Sequence, residues 1–91
     1  MRRITSIKNA IKYFEEGTRV ETRKSNGGEY KVHIPPTSFH RLTMTYTNGI
    51  TSIYEAWRWG DYAKLLREES QGVSQRCIGS KLASIRLTID V

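Results

Sequence analysis

The chain has 91 residues, 37% of them hydrophobic and 26% charged, with fifteen Lys and Arg against nine Asp and Glu for a net charge of +6. That length fits one small domain with a modest core. The composition is too apolar for a disordered chain, and no run reaches the roughly 18 apolar residues of a spanning helix. The excess of positive charge favours anionic partners such as nucleic acid, nucleotides, or acidic surfaces.

The opening Met1-Arg2-Arg3-Ile4-Thr5-Ser6 is basic but lacks a following apolar stretch, so it does not read as a signal peptide. A lone cysteine, Cys77, cannot form an internal disulfide. A reducing, cytoplasmic compartment is therefore expected.

Residues 6–16 carry Ile7, Ala10, Ile11 and Phe14 at the spacing of one apolar helical stripe. Ser6 is the expected N-cap and Gly17 the expected left-handed C-terminal cap. Residues 18–24 and 29–34 then read as strands. Asn26-Gly27 lies between them, the usual sign of a type I′ hairpin turn. Pro35-Pro36 stops the second strand. A third strand over 40–46 alternates Leu42, Met44 and Tyr46 with Arg41, Thr43 and Thr45, and Asn48-Gly49 ends it.

Residues 51–69 admit two readings. Ser52 and Glu55 fit a capping box, which favours a helix over 52–69 carrying Ala56, Trp57, Ala63, Leu65 and Leu66. Gly60 in its middle would cost about 1 kcal/mol relative to alanine. The alternative is a short strand, a break at Trp59-Gly60-Asp61, and a helix capped by Asp61. Residues 70–80 read as a polar loop with a turn near Cys77 and Ile78. The chain closes on a strand in which Ile85, Leu87 and Ile89 alternate with Arg86, Thr88 and Asp90.

The expected fold is a single α+β domain over residues 1–91. Its antiparallel sheet has the order α-β-β-β-α-β, with both helices packed on one face. Across residues 6–69 the order α-β-β-β-α resembles that of double-stranded RNA-binding domains, in topology only. That family places a lysine cluster at the start of its second helix. Here the position reads Thr51-Ser52-Ile53-Tyr54-Glu55, so no functional residue carries over.

Strand alternation assigns the core side to Val20, Tyr30, Val32, Ile34 and the apolar residues of the later strands. The open face then holds Arg19, Glu21, Arg23, Lys31, His33, Arg41, Thr43, Thr45, Arg86, Thr88 and Asp90. Arg19, Arg23, Lys31, His33, Arg41 and Arg86 are thus the candidate anion-binding residues. Tyr30 and Tyr46 fall on the core side, which disfavours base stacking on the sheet.

Residues 54–62 hold both tryptophans. On a helix, Trp57 and Trp59 point to opposite sides, so Trp57 is expected in the core. Arg58, Trp59 and Tyr62 are expected at an interface, a stacking site, or a homodimer contact. No catalytic, metal-ligating or cofactor-binding pattern stands out: Asn26-Gly27-Gly28 lacks the lysine of a phosphate loop, and His33 and His40 have no paired ligand motif. The leading expectation is a non-enzymatic protein that binds nucleic acid or a nucleotide. The alternative is a small inhibitor or adaptor, of the virus-encoded kind, that blocks a larger protein through its Trp/Tyr/Arg cluster.

Overall fold

The computed structural model describes residues 1–72 and 80–90. The elements run β1 (Arg2–Ile4), α1 (Ile7–Gly17), β2 (Arg19–Ser25), β3 (Gly28–Ile34), β4 (Phe39–Tyr46), β5 (Thr51–Glu55), α2 (Tyr62–Gln71) and β6 (Leu82–Ile89). The fold is α+β, and every strand pair is antiparallel. The strands form two separate sheets. One has four strands in the order β1-β6-β4-β5, and the other is the β2-β3 hairpin alone.

Helix α1 begins as its sequence dictates, with the Ser6 hydroxyl accepting the Asn9 N–H at 3.3 Å. Its end differs from expectation. Gly17 remains helical, and the helix closes through the Thr18 N–H donating to the Phe14 carbonyl at 2.9 Å. Glycine is needed there for space: a Cβ at position 17 would lie 2.4 Å from Pro36 Cγ.

The hairpin forms where Asn26-Gly27 predicts it, with Ser25 opposite Gly28. Its turn is not type I′, because no residue other than glycine has positive φ and the left-handed position falls on Gly28 (φ +112°). The Ser25 hydroxyl accepts the Gly27 N–H and donates to the Gly28 carbonyl, which holds this form.

Residues 51–69 follow the alternative reading and overturn the long helix. Thr51–Glu55 pairs with β4 as a strand, and α2 starts only after Asp61, whose Oδ1 accepts the Lys64 N–H at 3.2 Å. Strand pairing satisfies the backbone groups of Ser52 and Tyr54 and keeps Gly60 out of a helix interior. The extra strand also removes the α-β-β-β-α order behind the topological resemblance. A further strand, β1, lies outside the expected order and pairs with β6 at the sheet edge.

One core cluster unites Ala10 and Phe14 of α1, Tyr62, Ala63 and Leu66 of α2, and Phe39, Leu42, Met44, Tyr46, Leu82, Ile85, Leu87 and Ile89 of β4 and β6. Phe14, Phe39 and Tyr62 meet with ring centroids 5.2 Å apart. Helix α2 ends on Gly72 (φ +75°), whose N–H donates to the Glu68 and Glu69 carbonyls. The turn expected around Cys77 and Ile78 lies outside the described residues. No helix among those described is long and apolar enough to cross a membrane.

Candidate anion-binding face

Along β4 and β6 the buried residues alternate with a second set that points away from the core cluster. The pairing register arranges this outward set in rows across the strands. One row runs Arg3, Thr88, Arg41, Glu55 over β1, β6, β4 and β5; the next runs Arg86, Thr43, Ile53 over β6, β4 and β5; a third runs Ser84, Thr45, Thr51. Neighbouring strands lie about 4.8 Å apart and diagonal partners about 7–8 Å apart. Arg3, Arg41 and Arg86 therefore surround Thr88 and Thr43 from three adjacent strands.

A register shift at His40 places that residue beside Arg41 at the end of the row, as bulges commonly do. The resulting depression encloses about 220 Å³ and is lined by Met1, Arg3, His40, Arg41, Thr43, Arg86 and Thr88. Two carboxylates border it. Glu55 holds Arg41 at 3.1 Å, and Asp90 lies 3.7 Å from His40 Nδ1. Arg3 and Arg86 make no ion pair among the described residues. The guanidiniums of Arg3 and Arg86, the part of the Arg41 guanidinium beyond the Nε that Glu55 engages, and two threonine hydroxyls thus remain to donate hydrogen bonds to an anion.

Of the six cationic positions read from sequence, the structure brings Arg41 and Arg86 to this face. The other four lie on the separate hairpin. A two-residue loop pairs odd with even positions, so Val20 stands opposite His33, and Glu21 opposite Val32. Arg19, Glu21 and Arg23 accordingly share one hairpin face with Tyr30, Val32 and Ile34. Lys31 and His33 share the other with Val20. The core side assigned to Val20 and Tyr30 is thereby corrected: both are about half exposed. Arg19 and Arg23 both engage Glu21, at 3.2 and 3.4 Å, and His33 Nε2 lies 3.5 Å from Asp61 Oδ2.

The aromatic cluster is also rearranged. Trp57 is no core residue: it sits in the turn after β5 and is 75% exposed, with Arg58 stacked at 5.4 Å from its ring centroid. Trp59 is 53% exposed, with Arg23 at 4.7 Å from its ring. Tyr62, expected at an interface, is instead buried and donates its hydroxyl to the Arg58 carbonyl at 2.6 Å. Burial pushes that hydroxyl's pKa up from its ordinary value, although the Arg58 charge opposes the shift. Arg58, Trp59 and Tyr62 line a second hollow of about 370 Å³ together with Tyr54, Gly60, Asp61 and Leu65.

Sequence reading missed Arg3 and His40 as members of the face. A three-residue strand has too little length to show a period, and His40 reaches the face only through the bulge. Among the described residues no group of three His, Cys, Asp or Glu side chains is placed to hold a metal ion. Comparison with protein-family models, curated proteins and solved structures finds no match to this chain.

Proposed function

We propose that this chain is a non-enzymatic binding protein for an anionic ligand, a nucleic acid or nucleotide, which it holds on the outward face of the four-stranded sheet. The observation that carries the reading is the convergence of Arg3, Arg41 and Arg86 from three neighbouring strands on Thr43 and Thr88. Arginine forks and hydroxyls are the donors that phosphate oxygens accept, and such contacts fix position without reading sequence. The reading takes both helices to lie behind the sheet, as their shared core cluster with β4 and β6 supports. It also takes the setting to be intracellular, in keeping with a single cysteine.

The test is fluorescence anisotropy with short labelled single- and double-stranded DNA and RNA and with free nucleotides. Binding that weakens on Arg86→Ala and Arg3→Ala supports the face. No binding to any of these probes at low salt retires it.

The exposure of Trp57 and Trp59 favours a second reading, an inhibitor or adaptor that docks on a larger protein through the turn after β5. Tryptophan and arginine concentrate binding energy at protein interfaces. Under this reading Trp59→Ala abolishes partner capture and Arg86→Ala leaves it intact. The anion reading ranks the two variants in the opposite order.

A further inference from the structure

Among the described residues, the order β1-β6-β4-β5 leaves β5 with a neighbour on one side only. In an antiparallel pair, alternate residues bond to the neighbouring strand, and those between point their N–H and C=O the other way. Two bonds fix the phase here. Tyr46 N–H donates to the Ile50 carbonyl at 2.9 Å, and Ala56 N–H donates to the His40 carbonyl at 3.1 Å. The even positions of β5 therefore bond to β4. Thr51, Ile53 and Glu55 direct their backbone groups outward, and of these the Glu55 carbonyl accepts the Arg58 N–H at 3.1 Å.

Proteins usually blunt such an edge with charge, proline or a bulge. This strand has one charged residue, Glu55, and Arg41 already engages it. The edge instead gathers apolar surface. Ile50 and Ile53 are each 53% exposed, and Trp57 follows two residues after the strand ends. Three of the seven large apolar side chains exposed among the described residues thus lie in or beside a five-residue strand.

We propose that β5 pairs antiparallel with β5 of a second copy of this chain, about a two-fold axis through Ile53. The strand is complementary to itself in that register. Ile53 faces its own symmetry mate, Thr51 faces Glu55 and Ser52 faces Tyr54, so no like charges stand opposite each other. Ile53 is the middle residue of Thr51–Glu55, so the register uses the strand's full length. The Ile53 N–H and C=O of each copy bond to those of the other, and each Glu55 N–H meets a Thr51 carbonyl. The start of one strand lies beside the end of the other, which brings Ile50 near Ala56 and Trp57 of the second copy. An antiparallel pair has its two-fold perpendicular to the sheet, so the two arginine faces lie on the same side of one eight-stranded sheet. That consequence alone rests on the anion-binding reading.

The test uses the full chain without nucleic acid. Sedimentation velocity across a concentration series should show a monomer–dimer equilibrium that strengthens with salt, because screening relieves repulsion between two copies of net charge +6. Polyanion binding weakens with salt, so failure of one reading is distinguishable from failure of the other. Amide exchange should slow at Thr51, Ile53 and Glu55 as concentration rises. Ile53→Lys sets two ammonium groups together at the axis, and Ile53→Pro deletes the outward N–H while sparing the bonds to β4. Circular dichroism reports whether each variant folds. Position 53 is exposed, so the lysine variant carries the test even if proline unfolds the strand. A folded Ile53→Lys chain that stays monomeric supports the pairing. A wild-type chain that is monomeric up to millimolar concentration overturns it and leaves the edge to a foreign strand. A dimer that Ile53→Lys does not weaken also overturns it.

Discussion

Gly17 and Tyr62 hold α1 and α2 in place by opposite means, one by lacking atoms and the other by one polar atom. An alanine at position 17 favours the helix by up to about 1 kcal/mol. Its Cβ, however, meets the stiff ring of Pro36 at 2.4 Å, and overpacking of that kind costs about 1–3 kcal/mol. Gly17→Ala should therefore lower stability by about 1–2 kcal/mol in urea unfolding, and a stabilised variant would remove the steric reason for glycine here. The sequence marked position 17 as special through its residue type. The cause was hidden, because it lies in a proline nineteen residues away that only the fold brings close.

Tyr62 makes a pH-dependent contribution. Burial, partly offset by Arg58, raises its pKa above the ordinary 10.0, and burial, partly offset by the Ser38 hydrogen bond, does the same for Tyr13. The folded chain then keeps phenolic protons at a pH where the unfolded chain has released them. The associated stability is fully present below pH 10 and is lost as pH rises through the folded pKa values. Tyr62→Phe should cost about 1 kcal/mol near neutral pH through the lost bond to the Arg58 carbonyl. It should also flatten, without abolishing, the fall in stability above pH 10, since Tyr13 still contributes. Urea midpoints measured from neutral to alkaline pH check both parts.

At the scale of elements, legibility tracked length and periodicity. Helix α1, the hairpin, β4 and β6 each carry a pattern long enough to identify them, although α1 runs through Gly17 and β6 begins already at Leu82. β5 was ambiguous because five residues support a capping box and a strand equally well. The decision lay in pairing with β4, which sets Tyr54 opposite Leu42 and is a non-local contact. β1 gave no signal at all in three residues. The hairpin's face assignment failed for a related reason: alternation within each strand was read correctly, but the relative phase of two strands depends on the loop between them.

Asp61 ties the hairpin to the body through His33 and caps α2. The two roles separate by substitution. Asp61→Ala should cost about 1 kcal/mol through the lost cap. Asp61→Asn keeps a capping oxygen and should recover most of that loss, since the contact with His33 is partly exposed and such pairs are worth little. Equal losses in the two variants, measured by chemical denaturation, would make the His33 contact the dominant one.

At the scale of the whole molecule, the net charge of +6 was visible from the first count, and its distribution was not. Alternation correctly placed Arg41, Thr43, Arg86 and Thr88 on one outward face. It could not show that the hairpin leaves that sheet, taking Arg19, Arg23, Lys31 and His33 with it, or that β1 delivers Arg3 in their place. The distinction has a measurable consequence, because a polyanion releases roughly 0.7–0.9 counterions for each phosphate neutralised. A face of three arginines should give a slope of about −2.1 to −2.7 in log affinity against log salt, equivalent to about a 20–40-fold loss between 50 and 200 mM. Engagement of the hairpin cations as well would steepen the slope well beyond that. Arg86→Ala should reduce its magnitude by about 0.7–0.9, whereas Lys31→Ala should leave it unchanged. If Lys31→Ala flattens the slope and Arg86→Ala does not, the anion lies along the hairpin and the four-stranded face is not its site.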